Sequence, residues 1–259
     1  IVVDPPGLYP EPVRLAGASA DFRLRLDPFA VDLGRFTIET EPGPGDAPAA
    51  RLAGSGRVTV EDGGWQVGLD GRAARLEAAQ LLALWPERIK PGTRRWFVNN
   101  LSQGTMTDIA GGIRLTQGAE RPDIALTHEF RDADVRVLRT LPLVRGAEGV
   151  VSIQNNALTV TVHDGLMAAP QGGAADIAGS VFRIPDTRIP QPTPARLDLR
   201  AESTVTAALS LLDSEPFRFI SRAGREVTLA QGRVSAEAGF DLILKPRVPG
   251  GPLERVPFV

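Results

Sequence analysis

Alternation is the feature that most constrains this chain. Val234, Ala236, Ala238, Phe240, Leu242 and Leu244 fall on one side of a segment whose other side carries Ser235, Glu237, Asp241 and Lys245. A period of two belongs to a β-strand with one apolar and one polar face. Phe22, Leu24 and Leu26 alternate in the same way with Asp21, Arg23, Arg25 and Asp27, and the pattern continues through Val31, Leu33, Phe36 and Ile38. It returns at Val58 and Val60, at Trp65, Val67 and Leu69, and at Ile113 and Leu115. Ile124, Leu126, His128 and Phe130 share a face, as do Val151 and Ile153, then Leu158, Val160 and Val162, then Leu197 and Leu199. The spacing predicts further strands over Ala175–Ile184 and at Val227 and Leu229. Gly63-Gly64 and Asn155-Asn156 read as hairpin turns, and Gly111-Gly112 and Gly172-Gly173 as turn glycines.

Helical signals are few. Leu76–Leu84 reads as a short helix, broken at Pro86. A second helix follows, with Thr93 as its N-cap and Gly104 as its stop. Trp85, Trp96 and Phe97 are the expected structural anchors of this insert, which reads as a plug over an apolar sheet surface. Arg94 and Arg95 read as a solvated helix face, with contact to lipid phosphate as the sharper alternative. Thr206–Leu212 is a further helix ended by Asp213–Pro216, and Val135–Leu138 a turn or short helix. Ala78–Pro86, Ala133–Pro142 and Ala207–Pro216 share a plan of small residues, a few Leu or Val and a closing Pro, a weak internal repeat. The chain divides into an N-terminal β segment (1–75), a helical insert (76–104), a middle β segment (105–184) and a C-terminal β segment with a short helix (185–259), all in one continuous sheet.

Composition closes several routes. The 259 residues include no Cys, which excludes disulfides, Cys-ligated zinc and thiol catalysis. A net charge of −2 gives no reason to expect nucleic acid. No apolar run approaches the roughly 20 residues of a transmembrane helix. Neither an initiator Met nor a signal peptide opens the chain, which reads as an excised piece of something longer.

No motif carries chemistry. His128 lies among apolar neighbours without a second ligand at strand spacing, so it reads as structural. His163-Asp164 reads as the end of a strand at Gly165. Asp132 and Asp134 read as caps at the start of a turn, since a glycosidase needs a partner acid across a cleft. No Gly-x-Ser-x-Gly elbow, phosphate loop or dinucleotide fingerprint is present. Catalytic residues, metal ligands and cofactors are therefore assigned to none. The apolar strand faces admit two readings that composition does not separate. One is the packed core of a β-sandwich. The other is a curved sheet whose inner face holds acyl chains.

The segment around the insert resembles a known family. A Leu-rich helix ends in Leu84-Trp85-Pro86. Arg94-Arg95-Trp96 and Gly104 follow, then Phe130–Ala133, Leu141–Gly146 and Gly149-Val150-Val151. This order, continued by the block from Leu197 through Leu244 with its Ala207–Phe219 stretch, is similar to the YhdP-type branch of the AsmA-like proteins from about Ala50 onward. The resemblance implies a long curved β-sheet in a Gram-negative envelope, anchored in the inner membrane and passing phospholipid towards the outer membrane. The anchor would lie in a part of the parent chain absent from this sequence.

The expectation is a mostly β architecture: an elongated, curved, groove-like antiparallel sheet with a few short inserted helices. Roughly fifteen or more strands would stack at about 4.8 Å each. Leu158, Val160, Val162, Val234, Phe240, Leu242 and Leu244 are the expected lipid-facing residues. Phospholipid acyl chains and the rest of the parent chain are the expected partners, and the periplasm the expected location. The alternatives are a structural or assembly module of the envelope and a polysaccharide-acting enzyme on a β-scaffold.

Overall fold

The computed structural model describes residues 1–3, 9, 12–43, 47–61, 64–87, 90–137, 141–215 and 217–244. Sequence readings that fall on Gly63, Leu138, Pro216 and Lys245 lie outside them. The strands are β1 (Val2–Val3), β2 (Val13–Leu26), β3 (Phe29–Thr40), β4 (Arg51–Glu61), β5 (Gly64–Glu77), β6 (Leu101–Thr116) and β7 (Asp123–Val135). They continue with β8 (Val144–Gln154), β9 (Ala157–Ala168), β10 (Ala174–Asp176), β11 (Val181–Ile184), β12 (Thr193–Thr204) and β13 (Arg233–Leu244). Helices α1 (Ala78–Leu84) and α2 (Pro91–Asn100) separate β5 from β6, and α3 (Val205–Leu212) and α4 (Phe219–Arg222) separate β12 from β13.

All thirteen strands form one antiparallel sheet, and from β1 to β9 each pairs with its neighbour in sequence. Two short strands, β10 and β11, share the next place, each pairing with both β9 and β12, and β13 pairs with β12. The result is an elongated, curved meander about 50 Å along the stacking direction. Bulges bend the strands. The β3–β4 register shifts between Leu33 and Phe36, and the β7 ladders shift on both sides. Asp108 and Asp132 take left-handed backbone at two of these irregularities (φ 52° and 51°).

Both helical insertions sit on one rim, where β5 and β12 end and β6 and β13 begin. The opposite rim carries tight connections. The Asn155-Asn156 turn has φ 50° and 62°, the type I′ geometry that matches strand twist. Cores are small and lie near the helical rim. One joins Ala50, Ala73, Leu76 and Met106 with Leu81 and Leu84 of α1, and the other joins Ala133, Val144, Ala147 and Met167 with Leu211 of α3.

Several sequence readings are corrected. Helix α2 starts at Pro91 behind Lys90, which takes left-handed backbone (φ 48°), so Thr93 is inside the helix and not its cap. The helix ends at Asn100, and Gly104 lies within β6. Gly111 and Gly112 are mid-strand. A Cβ on Gly111 would lie 3.2 Å from Leu126 Cδ1, and one on Gly112 would lie 2.6 Å from Asp70 Oδ1. Their lack of a side chain permits close cross-strand approach and does not make a turn. Strand β9 runs on through His163 and Asp164 to Ala168, and β7 through Asp132 and Asp134 to Val135. Ala175–Ile184 is interrupted between β10 and β11, and Val227 and Leu229 lie in turns after α4. The described strands number thirteen, fewer than the alternation suggested.

Candidate functional site

The site is a face of the sheet, and cross-strand register builds it. Phe22, Leu33, Gly56, Leu69, Ile113 and Ile124 are successive partners from β2 to β7. Two residues along, Gly71, Gly111, Leu126, Ile153, Leu158 and Ile184 form the next row, from β5 to β11. Two further on, Val160, Phe182, Leu197 and Phe240 carry it to β13. Steps of two residues stay on one face of a pleated strand, so the rows form one apolar surface from edge to edge.

No second sheet covers this surface, since every described strand belongs to the same sheet. Burial shows the consequence. Among the described residues nine of the fourteen buried apolar residues are alanines, and no large side chain is fully buried. A two-layer sandwich would bury its Leu, Val and Phe rows instead. Phe22 is 71% exposed, Leu24 51%, Leu69 40% and Ile113 38%. These exposed side chains lie in the same rows and form a contiguous apolar patch.

The opposite face is polar and tied by ion pairs. Arg57 meets Asp32 at 3.1 Å, and Arg114 Nη2 donates to both carboxylate oxygens of Asp70 at 2.8 and 2.9 Å. Arg196 pairs with Asp241 at 3.0 Å and Arg200 with Glu237 at 2.8 Å. Each exposed pair is weak in itself, but together they fix which face meets water.

All seven residues expected to face lipid lie on the apolar face and are half-buried: Leu158, Val160 and Val162 on β9, and Val234, Phe240, Leu242 and Leu244 on β13. Phe182 and Leu197 join the two groups. Phe36 and Phe130 were placed on alternating strand faces but not named as lipid-facing, and Phe182 was not singled out from the sequence. Their signal is register, because each pairs across the ladder with an apolar residue or a glycine.

The helical insert lies on this face. Leu81 and Leu84 pack against the buried cluster of Ala50, Ala73, Leu76 and Met106, as do Leu52 and Ile109, the cross-strand partners of Ala73 on the apolar side. Gln80 Oε1 accepts from Glu77 N at 2.9 Å and its Nε2 donates to Pro48 O at 2.8 Å, fixing the start of α1. Arg94 is not a solvated residue. Its Nε donates to Trp85 O and its Nη2 to Leu82 O, both at 3.2 Å, capping the last carbonyls of α1. Trp85 and Phe97 are half-buried with ring centroids 5.6 Å apart, whereas Trp96 stands edge-on to Phe97 and is 44% exposed.

Titratable groups near the face are few. His128 shares it with Leu126 and Phe130. Its Nδ1 lies 3.0 Å from Glu129 O, and burial pushes its pKa below the ordinary value. Asp134 Oδ1 accepts from Gly146 N at 3.1 Å and so holds the β7–β8 irregularity. Among the described residues no group of three or more His, Cys, Asp or Glu could hold a metal ion. No described helix is long and apolar enough to cross a membrane. No protein-family model, curated protein or solved structure matches the chain.

Proposed function

We propose that the apolar face is a non-enzymatic binding surface for phospholipid acyl chains. In this reading the chain is a segment of a longer, membrane-anchored envelope protein in the periplasm that passes phospholipid between inner and outer membranes. The observation that carries the proposal is the continuity of the face. Apolar rows run from β2 to β13, and among the described residues no second sheet covers them. Acyl chains gain about 0.8 kcal/mol for each CH₂ removed from water, without directional contacts. A surface of that kind holds a chain and still lets it move along the rows, as a conduit requires.

The sheet edges support the same reading. Among the described residues β13 pairs only with β12, and β2 has an outer partner only at Val13, Arg14 and Leu15. Long unpaired edges allow a sheet to continue into further strands of the same kind. The resemblance at the helical insert supplies the envelope setting.

Photocrosslinking tests the proposal. A benzophenone side chain at Val160 faces the apolar side, and one at Thr161 faces the polar side. Phospholipid covalently attached at position 160 and absent at 161 is the expected result. Folded protein with no lipid attached at either position would reject it.

A further inference from the structure

The insert does more than plug one rim, because it reaches the other. Strand β5 ends and β6 begins on the helical rim. Lys90, immediately before α2, donates from Nζ to Thr187 O at 3.2 Å. Thr187 belongs to the loop 185–192 between β11 and β12, on the opposite rim. That loop is held against the start of β7. Thr187 N donates to Asn156 O at 2.7 Å, Asn156 Nδ2 donates to Asp123 Oδ1 at 3.0 Å, and Arg188 meets Asp123 at 3.6 Å. Helix α2 then returns to β6 at Leu101. Leu81 and Leu84 place α1 on the apolar face, and Lys90 ties the start of α2 to the far rim.

The two attachments are unequal. At the helical rim the insert is fixed by the half-buried Leu81 and Leu84, by Gln80 and by Arg94. At the far rim the hydrogen bond is exposed. Burial and the neighbouring Arg121 lower the Lys90 pKa, with Asp186 acting the other way, so the position disfavours the charge that makes the contact. An exposed contact of this kind is weak and opens readily.

We propose that helices α1 and α2 form a gate across the groove, latched at Lys90–Thr187, and that phospholipid enters and leaves sideways when the latch opens. The proposal rests on the reading of the apolar face as an acyl-chain site.

The chain has no Cys, so a Lys90→Cys, Thr187→Cys variant carries the only two thiols. A bismaleimide crosslinker with a reducible centre closes the latch covalently, and reductant reopens it. The probe is uptake of NBD-labelled phosphatidylethanolamine from vesicles of phosphatidylethanolamine and phosphatidylglycerol. Uptake slowed by about tenfold or more when crosslinked and restored by reductant is expected, as for lids that control ligand exchange. The unsubstituted chain, treated with the same reagent, should be unchanged. Equal uptake with the latch closed and open overturns the gate and leaves the groove standing. No uptake by the uncrosslinked variant and the unsubstituted chain overturns both.

Discussion

Phe130 lies across the β7–β8 ladder from Gly149, and its ring occupies the space a side chain there would need. A Cβ on Gly149 would sit 2.7 Å from Phe130 Cζ and 2.0 Å from Thr161 O. Phe36 stands in the same relation to Gly54, where a Cβ would lie 2.6 Å from the ring. In both pairs an aromatic ring covers a glycine on the apolar face, supplying the side-chain contact that the glycine lacks.

Gly149→Ala therefore forces backbone and ring apart, and should destabilise by about 2–3 kcal/mol in denaturant unfolding. Gly71 is the control on the same face. Its Cβ would meet nothing closer than Ala53 O at 3.9 Å. Gly71→Ala should be neutral or stabilising by up to about 1 kcal/mol, since it removes backbone entropy from the unfolded chain.

The alternating faces were legible in the sequence because a half-buried strand writes its geometry into every second residue. Val234–Leu244 and Leu158–Val162 are the clearest cases. Glycines were not legible in the same way. Gly111-Gly112 has the composition of a turn, and only the partners Leu126 and Asp70 show why side chains are missing there. Helix α2 was foreseen, but its start was misplaced, because a Lys in left-handed backbone carries no sequence signal. Nor could alternation tell a sandwich from a single layer. Leu69 and Ile113 read the same whether a second sheet lies over them or not. The Lys90–Thr187 contact joins residues 97 apart in sequence and has no local signature.

His128 should make folding sensitive to mild acid. Burial holds its folded-state pKa below the ordinary 6.5, so the unfolded chain takes up the proton first. Stability rises with pH wherever the unfolded state binds more protons. It should therefore fall as pH drops below 6.5, and this contribution should level off once the folded-state value is passed. In His128→Gln the loss over that window should be smaller, as read from chemical denaturation at a series of pH values. Equal pH dependence in both proteins would show that the ring is not desolvated.

Shape gives a separate check. A compact chain of this length has a radius of gyration near ~18 Å from size scaling. A single-layer meander about 50 Å along its stacking direction should exceed about 21 Å in solution scattering, with an asymmetric distance distribution, against that compact value. A symmetric distribution near the compact value would mean that the apolar face is folded away against the chain itself.

Native mass spectrometry of the purified chain tests the acyl-chain face most directly. The chain should carry mass increments of intact phospholipid, and a delipidated sample should regain them from vesicles. Val160→Asp places a charge in the middle of the face, and should abolish the increments while circular dichroism still reports a β-sheet. A folded chain that carries no phospholipid and takes up none from vesicles would contradict the acyl-chain surface.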